Sequence, residues 1–540
     1  MRIPVLKPLL ILTLVGLIGW QFFSLNKSAS IDRFVSEVMK EYQVPGISVG
    51  IMENGQIIHQ KSYGIANLKT QQPVDVNTIF KIASNSKAFT SAALAILVEQ
   101  EKLSWDDKVV DYLPEFKTYD PWVTEQFNIR DLLTHRSGLR IGSGDMMIWP
   151  EPTKFTRDDV VKNFQYLKPV SSFRDEYAYD NLLYIVAGEI IAKVSGQPWE
   201  DFIQQNIFNP LEMNRCYAGG IDTTKEKNLA APHVKINEEV IVDVPNLINE
   251  RVSIMAAAGG IKCSVSDMLK WIQLQLNQGQ MANGEFLFSQ EQSQLMWTPV
   301  VTLPMYDSLR EMDNTHYRGY GLGWRVSDYH GQWRVSHTGT LSGMMSQVTL
   351  IPDMDLGVVI LLNQSSGEAR NVLMRGLLQH FITEDKTDWL AYYKQLRAEK
   401  EKAEQITAQL QNESDEEQEI VIRSEDLALT AIEINETNAS RLGAYLDPWF
   451  GQITLTQNAK GIVFNSDKSP RMVGQVYYFG ENQWWVKWDN RSFNADAWLL
   501  FEESEAGLQL KMEAIDEDAD WSFSFDDLNF EKVEDLSIQE

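Results

Sequence analysis

The chain has 540 residues, 44% hydrophobic and 23% charged, with a formal net charge of −27 from 48 basic and 75 acidic side chains. That length suggests two or three domains, and the balance is that of a globular protein with a real core rather than a disordered chain. So acidic a surface repels phosphate backbones, and no nucleic acid is expected as a partner.

Arg2 and Lys7 lead an apolar stretch from Pro8 to Leu25, and the polar run Asn26 to Ser30 follows. Residues 1–30 read as a signal peptide or N-terminal membrane anchor. The apolar stretch barely spans a bilayer, Thr13, Gln21 and Ser24 dilute it, and Ser28-Ala29-Ser30 offers a small-residue cleavage site. The expectation is an exported protein, periplasmic or otherwise extracytoplasmic, touching membrane only through this segment. Ile47, Val49 and Ile51 then lead to Glu53-Asn54-Gly55 and Ile57-Ile58, a hairpin pattern. Residues 84–100 read as a helix. The region 120–300 looks mainly helical, with candidates at Ile129–Leu133, Asn181–Val194 and Val265–Leu276. Short strands return at Trp333–Ser336, Gln347–Ile351 and Val358–Leu362, and a helix from Glu368 to Ile382 closes this part. Strands at both ends with helices between predict one sheet built from both ends, an α/β (α+β) two-lobed domain over 31–385.

Residues 386–440 read as a charged helix or linker. Over 441–540 the pattern alternates at short spacing. Seven strands are expected, at Gln452–Thr456, Gly461–Asn465, Gln475–Phe479, Gln483–Asp489, Ala497–Glu502, Leu508–Ala514 and Asp520–Asp526. They predict a small antiparallel barrel or sandwich. Trp449, Trp484, Trp485, Trp488, Trp498 and Trp521 fall here, and Trp on strands reads as core rather than as a sugar-binding face. Cys216 and Cys263 are the only cysteines; they are expected as two separately buried thiols, although one bridge is possible in an oxidising compartment.

Three short patterns carry chemistry. Ser84-Asn85-Ser86-Lys87 opens the first long helix. Residues three apart share a helix face, so Lys87 can reach the Ser84 hydroxyl, and burial would lower its pKa until it can take a proton. The spacing alone means little, since Ser24 and Lys27 share it. Tyr179-Asp180-Asn181 precedes the helix from Leu182. A Tyr beside a cation can relay a proton, and an Asn can hold both a substrate amide and the Lys. His337-Thr338-Gly339-Thr340 ends a strand, where Gly339 would let a substrate lie close to the backbone. The backbone N–H groups of Ser84 and Thr340 are candidates for an oxyanion hole.

In that order these motifs resemble the three signatures of the serine β-lactamase and penicillin-binding fold. The spacing is similar to that of the class C β-lactamase, D-alanyl-D-alanine carboxypeptidase and esterase group, peptidase family S12. The stretches from Ile129 to Leu139, Ala258 to Ile261 and Gly319 to Trp324 match as well, so the resemblance covers about residues 32–383. It implies a β-lactamase/transpeptidase-like domain followed by a small antiparallel β-barrel-like domain. It also implies a serine hydrolase acting through an acyl-enzyme on Ser84, with Lys87 and Tyr179 sharing acid and base work. Asn181, His337, Thr338, Gly339 and Thr340 would bind substrate. His337 stands where β-lactamases usually have Lys. His is largely neutral near pH 7, which moves the expectation from a dedicated β-lactamase toward a D-amino-acid peptidase or esterase acting on a small molecule or cell-wall-derived peptide. Two alternatives remain: a penicillin- and cephalosporin-hydrolysing enzyme, and an inactive protein that binds cell-wall peptide. No cofactor and no metal are called for, because the remaining His residues are scattered and paired Cys ligands are missing. His135 reads as structural. The C-terminal domain would be either a structural cap or a domain that shapes the mouth of the site.

Overall fold

The computed structural model describes residues 28–243, 253–413 and 423–533, less 494 and 506. The leader or anchor expected over 1–30 lies outside these, apart from Ser28-Ala29-Ser30, which open a helix running to residue 42. Among the described residues no helix is long and apolar enough to cross a membrane.

The Asn-Gly pair acts locally. Asn54 and Gly55 both take left-handed φ (51° and 67°) and join strand Gly46–Glu53 to Gln56–Asn67, as a tight hairpin turn requires. These strands lie in a nine-stranded antiparallel sheet whose order brings the two ends of the segment together: Gln72–Pro73, Gln56–Asn67, Gly46–Glu53, Leu356–Leu362, Met344–Ile351, Gln332–Leu341, Arg325–Tyr329, Arg318–Tyr320 and Val301–Thr302. The seam pairs Ile47 with Leu362 and Glu53 with Leu356. Every residue of Leu356–Leu362 is buried, because both faces of the sheet are covered. Ile31, Val35 and Val38 of the first helix and Val372, Leu373 and Leu377 of helix Gly367–Ile382 form one cover. Helix Val265–Leu276 lies on the other side.

The second lobe is helical and centres on Ser86–Glu99, buried at every position from Ser86 to Leu97. A helix apolar all round belongs inside a domain. It packs against Leu182–Ser195 and Ala256–Gly259. A three-stranded sheet of Phe80–Lys81, Ile261–Cys263 and Cys216–Ala218 lies at its start. There the expectation of two separate thiols is corrected: Cys216 and Cys263 are register partners, 4.1 Å apart at Cα, and are disulfide-bonded. Cysteines 47 residues apart become neighbours only through strand pairing.

After helix Trp389–Glu413 the chain forms a closed eight-stranded antiparallel barrel, Gly443–Asp447 through Asn529–Val533. Six of the seven expected strands are present. The seventh, Asp520–Asp526, is not a strand: the Asp520 side chain accepts the Ser522 N–H and its carbonyl the Phe523 N–H, folding a turn that leads into the short helix Phe525–Asp527. Gly443–Asp447 and Asn529–Val533 close the barrel instead. Five of its six Trp are buried, as the core reading requires; Trp521, off any strand, stays 42% exposed. The barrel packs on the two-lobed domain. Phe450 meets Phe155 at 5.9 Å, Asn163 Nδ2 donates to the Trp449 carbonyl at 2.8 Å, and Arg140 pairs with Asp526 at 2.8 Å.

Candidate active site

Strand Phe80–Lys81 ends in the turn Ala83–Asn85, which carries Ser84 and runs into the central helix. Ala83 is buried with a left-handed φ of 49°, a conformation that a residue with a Cβ holds only when its surroundings compel it. Strand Gln332–Leu341 supplies the constraint. Ser346 on the neighbouring strand donates to the Ile82 carbonyl at 2.7 Å and accepts from Asn85 Nδ2 at 2.8 Å. A Cβ on Gly339 would lie 2.2 Å from the Ile82 carbonyl oxygen and 2.3 Å from Ser346 Oγ. Gly339 thus permits a close approach by the chain's own turn.

Lys87 lies on the first turn of the helix and is fully buried. Its Nζ makes three hydrogen bonds: to Asn181 Oδ1 at 2.7 Å, the Ala258 carbonyl at 2.9 Å and Ser84 Oγ at 3.2 Å. Thr90 Oγ1 donates to the Ala257 carbonyl at 2.7 Å and so fixes the segment that offers the second acceptor. Burial pulls the amine down to about 7, while the charges of Asp145 and Asp180 work against it. No carboxylate among the described residues is within ion-pair distance of it. Two of the three partners, an amide oxygen and a carbonyl oxygen, can only accept. A neutral Lys87 therefore gives its two N–H bonds to them and turns its lone pair to Ser84.

Tyr179 lies above this pair, its ring 4.7 Å from Lys87 Nζ. Burial drives its phenol far above the ordinary range, with the Ser84 hydroxyl pulling the other way. The group is neutral at pH 7 and so a proton donor. His135, buried with a left-handed φ of 55°, lies against it at 4.2 Å between ring centroids and accepts the Asp180 N–H at 3.0 Å. Its structural reading fits that place.

His337 is 1% exposed. Its Nδ1 meets the Thr338 carbonyl at 2.7 Å, so Nδ1 carries the proton and Nε2 accepts from the Tyr320 hydroxyl at 3.0 Å. Burial lowers its pKa far below the ordinary value and leaves it neutral. Both nitrogens are thus bonded inside the protein. Thr338 is half-buried and Thr340 exposed along the same strand edge.

Four contributors escape the sequence reading. Arg325 Nη1 donates to Thr338 Oγ1 at 2.8 Å, and Arg370 Nη1 donates to Thr340 Oγ1 at 2.9 Å. Neither guanidinium has an ion-pair partner among the described residues, so this edge carries the positive charge that His337 lacks. Arg325 directly follows Gly319–Trp324, and that adjacency was the available signal. Trp521 reaches in from the barrel, with its ring 5.6 Å from that of Tyr179. Asp145 binds Asn181 Nδ2 at 2.8 Å; it lies in a loop with no readable pattern.

Comparison with known proteins agrees with this geometry. The Beta-lactamase family model matches residues 31–380. The hydrolase of unguisins from Aspergillus violaceofuscus is 27% identical over 69% of this chain and 69% of its own length. Protein flp of Staphylococcus aureus strain MW2 is 25% identical over 63% of this chain and 64% of its own. Two solved structures share the fold at 21% identity. The octameric penicillin-binding protein homologue from Pyrococcus abyssi covers 93% of this chain and 99% of its own with a TM-score of 0.59. A mutant class C beta-lactamase covers 66% and 98% with a TM-score of 0.54. A model match over well more than half the chain, joined to a buried lysine aimed at a serine, settles the family: the chain belongs to the Beta-lactamase family of serine hydrolases.

Proposed function

We propose that this protein is an exported serine hydrolase that forms an acyl-enzyme on Ser84 and cleaves peptide, amide or ester bonds, as a D-amino-acid peptidase or esterase does. The observation that carries this reading is the buried Lys87, three hydrogen bonds deep and held near neutrality beside Ser84. In this mechanism Lys87 takes the Ser84 proton as Oγ bonds to the carbonyl carbon. The N–H groups of Ser84 and Thr340 bind the oxyanion. Tyr179 protonates the leaving group as its bond to carbon breaks, and the Lys87 ammonium restores the phenol proton. Water then attacks the ester and frees Ser84. A substrate carboxylate would pair with Arg325 and Arg370, which supports a peptide or amino-acid derivative with a free acid end. The disulfide supports an oxidising, extracytoplasmic compartment.

A fluorophosphonate probe and a fluorescent penicillin should label the wild type and leave Ser84→Ala blank; equal labelling of both would sink the assignment. A panel of D-amino-acid peptides, esters and β-lactams then separates the readings. Turnover confined to β-lactams makes the protein a β-lactamase. Binding of cell-wall peptide without turnover makes it a receptor.

The barrel shapes the mouth in this reading. Trp521 covers Tyr179 edge-on while keeping 42% of its surface open, as the wall of a pocket would. Trp521→Ala is expected to raise KM for esters with bulky acyl groups roughly tenfold over that for acetyl esters, the scale of one pocket contact. An unchanged ratio of bulky to acetyl ester turnover would show that the ring does not touch substrate.

A further inference from the structure

Asn181 poses a problem that its own position does not solve. Its carboxamide is symmetric in shape, and half a turn exchanges an acceptor oxygen for a donor nitrogen. Only one of the two orientations serves the site. With Oδ1 toward Lys87, the amine has its acceptor at 2.7 Å. With Nδ2 there, two donors face each other and the lysine loses the partner that aims its lone pair.

The group on the far side is Asp145. It is 1% exposed, its Oδ2 receives the Asn181 Nδ2–H at 2.8 Å, and its Oδ1 is buried with no hydrogen-bond partner. A buried carboxyl with an unpaired oxygen is costly unless something compensates. It is also held firmly. Its N–H bonds the Gly142 carbonyl at 3.0 Å, and Gly142 and Gly144 take φ of 71° and 72°. A Cβ on Gly144 would lie 2.6 Å from Leu182 Cδ1, and one on Gly142 2.6 Å from Trp521 Cε3. The loop is thus clamped between the helix that follows Asn181 and the barrel. The charges around the carboxyl are Lys87, Asp180 and Asp520; burial pushes its pKa well up, reinforced by the two acids and opposed by the Asn181 amide and Lys87. Ionised or neutral, Oδ2 accepts.

We propose that Asp145 is a positioning residue for Lys87: by accepting the Asn181 Nδ2–H it fixes the carboxamide so that Oδ1 faces the amine. This rests on the acyl-hydrolase reading above. It also makes the Gly142–Asp145 loop the route by which the barrel supports the chemistry, since Trp521 closes one side of that loop.

The test compares Asp145→Leu, which keeps the branched outline and removes the acceptor, with Asp145→Asn, which keeps both the volume and an acceptor oxygen. Leu is expected to lower kcat about 100-fold, the cost of a misplaced group, with KM nearly unchanged. Asn is expected to restore most of that rate. Equal kcat in the two variants overturns the proposal, and thermal unfolding reports any overpacking by the larger Leu. Neutron crystal structures, which distinguish the amide oxygen from the deuterated nitrogen, give a readout independent of activity. In Asp145→Leu the Asn181 oxygen should leave Lys87 Nζ; retention of that hydrogen bond overturns the proposal even if rates fall. Absence of Ser84-dependent turnover in the wild type would instead overturn the functional reading, and the crystal structures would still decide on Asp145.

Discussion

Lys87→Ala is expected to lower kcat/KM by about 10² to 10⁴-fold, the range that a general base contributes. The more telling variant is Lys87→Arg. A guanidinium keeps the positive charge but does not give up its proton in a protein. If Lys87 works as a neutral base, Arg should be as inactive as Ala; if it serves only as a cation, Arg should keep much of the rate. The pH profile follows with a definite sign. Burial brings the amine down to about 7, so below that pH Lys87 is an ammonium with no lone pair and activity falls. Above it the amine is free and the rate rises to a plateau. The acid limb of kcat/KM in the wild type should therefore centre near 7, and it should vanish in the residual activity of Lys87→Ala. A flat profile across that region would remove Lys87 from the role of base.

Gly339→Ala is expected to be as damaging as loss of a reacting group, although the glycine has no side chain to react. The added Cβ would stand 2.2 Å from the Ile82 oxygen and 2.3 Å from Ser346 Oγ. The first of these is backbone, so the strand and the Ser84 turn must separate by roughly 1 Å to restore ordinary contact. Displacement on that scale costs on the order of 100-fold in rate, and overpacking of this kind costs about 1–3 kcal/mol in stability. Steady-state kinetics with thermal unfolding check it. Wild-type kcat in a folded Gly339→Ala protein would mean that the turn is not held by the strand.

The barrel has two parts in this molecule. Its interior holds Trp484 and Trp488, each at most 1% exposed, while Trp485 packs on the outer face with Trp498 and Ile515. Its Asp516–Asp527 segment contacts the neighbouring domain, through Trp521 on Tyr179 and Asp526 on Arg140. The barrel domain thus supplies a wall of the proposed site.

Much of the architecture was legible because it is written locally. Asn54-Gly55 specifies a turn through the φ values it tolerates. Val265–Leu276 shows its helix by periodicity, and the structure places it at those same residues. Six barrel strands show themselves by alternation. The segment Asp520–Asp526 reads as a strand because Trp521, Phe523 and Phe525 alternate with Ser522 and Ser524, while Asp520 turns the chain through its own hydrogen bonds.

By itself, then, the sequence determined the hairpin, the main helices, most of the barrel strands and the ordered motifs at Ser84, Tyr179 and His337, each of which depends on residues a few positions apart. Only the tertiary structure decided that Cys216 meets Cys263, that His337 turns both nitrogens inward, that Arg325 carries the charge at the strand edge, and that Asp145 stands behind Asn181. Each of these is a contact between distant segments. Strand register and loop packing set such contacts, and no local periodicity encodes them.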